Sequence, residues 1–245
     1  MSRVTRRRQT DLLAADATDE QVAWTERHED ERRQRAEHLF RLVREHHDGG
    51  PVVDVGSYPN LLTVEMHDAL DAEVVGVDLD PSRASRAVRE RLDLRQCDLD
   101  EERIPVGSEQ AGVVVCSEVL EHLSRPERAV SEIARVLKPG GVALITTPNF
   151  GRLQTRLRAL RGRPPHRLDA EVAEREEIGH DGHRQLLSTE EVRGLCEGAG
   201  MSIIDHRTLQ FWSARSPVLD ALYRVWPAAR PYQLAVARWS EEVMG

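Results

Sequence analysis

The sequence predicts an α/β fold: a doubly wound, mostly parallel sheet with helices on both faces. Three observations predict it. Short runs rich in β-branched residues, PVVDVG (51–56), EVVGVDLD (73–80), AGVVVCSE (111–118) and GGVALITTP (140–148), are continuously apolar rather than alternating, as strands buried on both faces are. Segments with a helical apolar period and capping residues lie between them. Strand and helix signals alternate, the order that winds helices onto both faces of a parallel sheet.

The elements follow in order. Residues 1–19 are basic at the start with no apolar run behind, so they read as a solvated, flexible tail rather than a secretory signal. Residues 20–47 form a charged helix with Ala36, Leu39, Phe40 and Val43 on one face, suited to packing on the sheet. Residues 51–148 make the cofactor-binding half of a single domain spanning 20–245. Within it, Asp80 caps a helix with Pro81 at its first position, and LDLRQCD is a weaker strand. Ser124 and Glu127 have capping-box spacing ahead of Val130, Ile133, Ala134 and Leu137, and LKPGG stops that helix. Residues 149–187 are a lid or substrate segment. The C-terminal half, 188–245, opens with a second capping box, Ser188 and Glu191, before Val192, Leu195, Cys196 and Ala199. GAGMSIIDHRTLQ and PYQLAVARWS read as strands, with an apolar helix, SPVLDALYRVWP, between them.

Composition excludes several classes. The chain has 245 residues, 40% of them hydrophobic, enough for one sizeable core, and no apolar stretch of bilayer-spanning length. A net charge of -8 argues against general nucleic-acid binding. The three cysteines, Cys97, Cys116 and Cys196, make neither a disulfide framework nor a zinc pattern. They read as buried thiols in a reducing, cytoplasmic setting.

Doubly wound sheets bind ligands at the carboxyl ends of their strands. A carboxylate at Asp78 suits both hydroxyls of an adenosine ribose, in NAD and S-adenosylmethionine alike. Asp98, after the weak strand, suits an adenine amino group, with Leu99 against the ring. The alternative for Asp98 is a loop carboxylate among Asp100, Glu101 and Glu102.

VVDVG, VVGVDLD, CDLDEERIPVGSEQAGVVVCSEVLEHL, ARVLKPGGVALITTPN and, more loosely, GHRQLLSTEEVRGLCEGAG lie in order across residues 51–200. In that combination the chain resembles the class I S-adenosylmethionine-dependent methyltransferases, in particular the small-molecule group called type 11. The resemblance implies a Rossmann-like, seven-stranded sheet with an antiparallel last strand, and S-adenosylmethionine as cofactor. It places Asp54, Gly56 and Ser57 by the methionine part, Asp78 and Leu79 at the ribose, and Asp98 and Leu99 at the adenine. Cys116, Ser117 and Glu118 fall beside the cofactor. The departure is GSYPN (56–60), with Tyr58 and Asn60 where the family usually places glycines. Asn tolerates positive φ, but Pro59 removes an amide donor. A helix starting just after the turn still offers amides to a carboxylate.

Methyl transfer from a sulfonium needs orientation and desolvation, and a hydroxyl acceptor also needs a base. His122 in LEHL and His183 in GHDGHR are the candidates, with hydrogen bonding or solvation as the plainer alternative. His166, His180 and His183 do not complete a metal set, so no metal is expected. TTPN lacks the Pro-Pro-aromatic motif that holds a flipped base. NFGRLQTRLRALRGRPPHRL has six arginines and no acidic residue. It points to an anionic or amphipathic small-molecule acceptor, with peripheral membrane contact, against the alternative of a packed lid neutralised by DAEVAEREE. Three readings follow: an active methyltransferase, a methyltransferase-like scaffold that no longer holds cofactor, and a nicotinamide-dependent oxidoreductase, which leaves EVLEHL unexplained.

Overall fold

The computed structural model describes residues 9–15, 17–163, 183–211 and 217–240. Seven strands form one sheet: β1 (Val52–Val55), β2 (Val74–Asp78), β3 (Asp93–Gln96), β4 (Ala111–Ser117), β5 (Leu137–Pro148), β6 (Met201–Leu209) and β7 (Tyr232–Trp239). Their order is β3-β2-β1-β4-β5-β7-β6. The first five run parallel, and β7 is antiparallel to both β5 and β6. This is the expected sheet, antiparallel last strand included. The order reverses at β1, which pairs β2 on one side and β4 on the other, so a crevice opens between the ends of β1 and β4.

The apolar runs explain the layering. β1 is buried along its whole length and β4 at all but its last residue, because both lie centrally with helices on each face. One face packs α5 (Pro126–Val136) and α7 (Thr189–Gly198) through Val130, Ile133, Val192 and Cys196. The other packs α2 (Glu29–His46) and α3 (Leu61–Ala69) through Leu39, Val43, Leu62 and Met66. α1 (Asp19–Arg27) precedes α2, so the helix expected over 20–47 breaks near His28. The remaining helices are α4 (Arg86–Arg89), α6 (Leu153–Leu160) and α8 (Pro217–Val225).

Two expectations are corrected. The tail over 1–19 is not wholly solvated. Leu12 and Leu13 are buried, Leu12 against Val64, Val88 and Leu92, and Leu13 bridges Ala84; two adjacent leucines gain more from that groove than from water. The Ser124–Glu127 capping box does not form. α5 begins one residue later, behind Arg125, without a side-chain cap. The Asp100 carboxylate, from the loop after β3, instead accepts from the Ser124 and Arg125 amides at 3.0 and 2.9 Å. The other caps form as read: Asp80 accepts from Ser82 N, and Ser188 and Glu191 make a reciprocal box.

Candidate active site

The turn after β1 is built from its sequence. Gly56 has φ +71°, and a Cβ there would lie 2.2 Å from Val119 Cγ2, so glycine is required by both conformation and space. Asn60 takes φ +65° and α3 starts at the next residue, as its tolerance of the left-handed region allows. The Tyr58–Pro59 peptide is cis. The amides of this turn are all engaged. Gly56 and Ser57 donate to Val77 O at 2.8 and 3.1 Å, and Asn60 donates to Ser57 O. Tyr58 donates to Asp78 Oδ2 at 3.0 Å, and Pro59 has no N–H. Arg83 stacks on the Tyr58 ring, 4.1 Å from its centroid.

Asp54 is buried in β1 and accepts from Thr63 Oγ1, on α3, at 2.6 Å. Burial pushes its carboxyl up to about 7, opposed by that hydrogen bond. Asp78 closes β2 with its second oxygen on the Asp80 amide at 3.2 Å, which leaves lone pairs on both oxygens beyond the two amide contacts. Leu79 beside it is 56% exposed, an apolar surface that an adenosine would cover. Asp98 forms a local turn, accepting from Asp100 N at 2.9 Å, while Leu99 packs into the core. Cys116 is wholly inside the core, and its thiol is raised well above the usual range by burial. Ser117 and Glu118, the next two residues, reach the crevice edge, with Ser117 Oγ 2.9 Å from Thr146 Oγ1.

Glu118 has φ +57° and donates its amide to Thr146 O at 2.9 Å. Its carboxylate lies 3.7 Å from Arg35, a residue of α2 that also pairs with Glu31 at 3.5 Å. The Arg35 guanidinium sits over Phe211 and Tyr232, 5.9 and 5.8 Å from their centroids, and the Tyr232 hydroxyl bonds to Glu31. Burial raises the Glu118 carboxyl to about 7, and Arg35 holds it down from going further. Arg32, one turn earlier, is brought down to about 10 by burial and by Arg35.

One turn past Glu118, Glu121 is fully buried and accepts from Thr147 Oγ1 at 3.1 Å. Burial and the Glu118 charge drive its carboxyl well above the usual range. His183 Nε2 is 4.0 Å from Glu121 Oε1, and the His122 and His183 rings meet edge to face at 4.9 Å. The Glu121 carbonyl accepts the Arg184 amide at 2.8 Å, and Gln185 bonds the Leu120 and Leu123 carbonyls. His183, Arg184 and Gln185 are thereby stitched onto LEHL. Ligating atoms of Glu121, His122 and His183 lie within 4.8 Å of one another. His166 and His180 lie outside the described residues.

Of the residues read from the sequence, Asp54, Gly56, Ser57, Asp78 and Glu118 lie at the carboxyl ends of β1, β2 and β4 or in the turns after them, and His122 and His183, offered singly, meet ring to ring. Sequence reasoning missed Glu121, Arg32, Arg35 and Tyr232. Glu121 was legible as the only acidic residue of LEHL. Arg35 was not, because 26–45 is charged at almost every exposed position and nothing marks the one arginine that turns toward Glu118.

A protein-family model described as a methyltransferase domain matches residues 26–206. A probable S-adenosylmethionine-dependent methyltransferase of Mycolicibacterium smegmatis is 34% identical over 141 residues, covering 55% of this chain and 51% of that one. The human mitochondrial ubiquinone biosynthesis O-methyltransferase is 28% identical over 181 residues, covering 68% and 47%. The chain spans about half the length of these curated relatives. Among solved structures, a chain from the complex of the Haloferax volcanii Trm112 methyltransferase activator with a methyltransferase superposes with a TM-score of 0.63 at 20% identity, over 92% and 98% of the two chains. Fold, crevice and family model agree: the chain belongs to the class I S-adenosylmethionine-dependent methyltransferases.

Proposed function

We propose that this chain transfers the methyl group of S-adenosylmethionine to a hydroxyl oxygen of a small, amphipathic acceptor. The observation that carries the reading is the Glu121–His122–His183 cluster, reached one turn beyond the crevice residue Glu118. The sulfonium supplies the reactivity when the cofactor is bound. Asp78 would hold the ribose, and a crevice that presents the acceptor hydroxyl in line would allow a single displacement. The hydroxyl proton passes to an imidazole of the pair, with the buried, largely neutral Glu121 carboxyl 4.0 Å from His183 Nε2. The named O-methyltransferase relatives support oxygen as the atom methylated.

The test is transfer of labelled methyl from S-adenosylmethionine to hydroxylated amphipathic aromatics. His122→Asn and His183→Asn are each expected to lower kcat by roughly 10²–10⁴ without changing cofactor affinity; unchanged kcat in both removes the base. The same three ligands suit a divalent cation that would polarise the acceptor oxygen. Activity lost to a chelator and restored by Mg²⁺ or Mn²⁺ puts the cation in the role of the base. The engaged amides of the GSYPN turn favour one other reading, a scaffold without cofactor. Calorimetry with S-adenosylhomocysteine separates them: no binding supports the scaffold.

A further inference from the structure

Two helices beside the crevice carry their apolar residues outward. α6 follows directly from the carboxyl end of β5, and α8 leads into the start of β7, where Tyr232 pairs with Pro148. Both therefore rise from the rim that holds Glu118 and Arg35. α8 has no buried residue: Val218 is 76% and Val225 81% exposed, and Trp226 just past it is 40% exposed. On α6 and its lead-in, Leu160 is 83%, Leu157 38% and Phe150 41% exposed. These six are among only eight large apolar side chains exposed within the described residues, so the exposure is concentrated and not the scattered kind that needs no explanation.

The pair is held rigidly by polar bonds at its base. Asn149 is buried, and its Nδ2 donates to the carbonyls of Ala228 and Arg230 at 3.0 and 2.8 Å, while its Oδ1 takes the Gly151 amide at 2.8 Å. Arg156 Nε donates to Gly151 O at 2.6 Å, and its guanidinium lies over the Trp226 indole at 4.7 Å. Arg230 donates to Thr208 O at 3.0 Å. Anchoring of this kind presents the leucines, valines and tryptophan as a fixed surface. Charge identifies what it meets. Between 149 and 163 there are five arginines (152, 156, 158, 161 and 163) and no acidic residue, in a chain whose net charge is -8.

We infer that the α6–α8 face docks on an anionic phospholipid bilayer. Leu157, Leu160, Val218, Val225 and Trp226 enter the headgroup–acyl boundary while the exposed Arg161 and Arg163 pair with lipid phosphates. This deepens the reading of an amphipathic acceptor: the acceptor reaches the crevice from the membrane on which the rim rests.

The test uses the full chain and vesicles of phosphatidylcholine alone or with phosphatidylglycerol, without cofactor, so its failure leaves the methyl-transfer reading untouched. Co-sedimentation with anionic vesicles is expected at low salt, with weakening as ionic strength rises. Arg161→Gln and Arg163→Gln are each expected to weaken partition roughly five-fold. Leu160→Glu with Val225→Glu is expected to abolish it while the circular dichroism and thermal transition stay unchanged, since both sites are exposed. No sedimentation with anionic vesicles at low salt overturns the proposal. So does equal binding to neutral vesicles, or a dimer by light scattering that the same double substitution dissolves, which assigns the face to a second copy of the chain.

Discussion

Replacing Asp78 by Asn tests the cofactor site at its most heavily used carboxylate. In the unliganded protein one oxygen accepts from Tyr58 N at 3.0 Å and the other from Asp80 N at 3.2 Å. An ionised carboxylate offers about four lone-pair directions, so a ribose diol finds an acceptor on each oxygen without displacing either amide. Asn keeps one carbonyl oxygen and turns the other position into a donor, which faces an amide N–H on one side and a ribose hydroxyl on the other. A hydrogen bond to a charged group contributes roughly 1.5–3 kcal/mol. Weakening two of them for the ligand comes to about 3 kcal/mol, or roughly a 150-fold rise in Kd. Calorimetry with S-adenosylhomocysteine measures this. Methylthioadenosine, which keeps the ribose and lacks the amino-acid part, is expected to lose the same factor, whereas free adenine is indifferent. The ribose assignment is refuted if S-adenosylhomocysteine binds Asp78→Asn as tightly as the native protein. Equal weakening of adenine would show that the substitution collapsed the turn instead.

Further outcomes concern stability and reactivity. Gly56→Ala forces an L-residue to φ +71° and drives a Cβ to 2.2 Å from Val119 Cγ2, so urea unfolding is expected to show a loss of roughly 2–5 kcal/mol from left-handed strain and overpacking. Glu65, on α3, is 8% exposed with neither carboxylate oxygen hydrogen-bonded, and burial together with Glu37 raises it to about 7. Its folded-state affinity for the proton exceeds that of the unfolded chain, so its contribution is full below the unfolded value of about 4.3 and is lost as pH rises through about 7. Glu65→Gln is expected to flatten the fall in stability across that window and to leave the protein more stable at pH 8 by up to about 3 kcal/mol; parallel pH profiles would refute the assignment. The thiols of Cys97 and Cys196 are raised to about 11 and 12 by burial, and burial also raises Cys116 well above the usual range. A thiol reagent at pH 8 is expected to react with the native protein only on the unfolding timescale, and a fast stoichiometric burst contradicts that burial.

What was legible in the sequence was what short-range chemistry dictates. Apolar runs gave the strands because both faces of β1 and β4 are covered, and Asp80 and Ser188 gave helix starts because their partners lie within three residues. The Ser124 box had the same spacing but lost to a carboxylate from far along the chain, Asp100, which no local pattern contains. The same limit hid Arg35: its partners Glu118, Phe211 and Tyr232 are spread across the chain. His122 and His183 were visible singly, but their meeting at Glu121 depends on the Arg184 and Gln185 contacts that fold one segment onto the other.

The GSYPN turn shows how those two kinds of information combine. From the residues alone, Tyr58 and Pro59 cost the turn donors that glycines would supply. In the fold, the remaining amides are committed to Val77, Asp78 and Ser57, so the turn is fixed in shape but has no spare N–H for an anion. Positive charge nevertheless gathers around it: Arg83 lies on the Tyr58 ring, and α2 brings Arg32 and Arg35 to the same side of the sheet. Arg32 is buried, donates to Thr25 O at 2.7 Å, and has its guanidinium brought down to about 10 by burial and by Arg35. A methionine carboxylate entering the crevice would meet side-chain cations where a glycine loop would offer backbone amides. The folded turn therefore argues for a lost cofactor site less strongly than its sequence does. Tyr58 donates to Asp78 and fixes the loop around it, and the charge a zwitterionic ligand needs would come from the helix in front of the sheet.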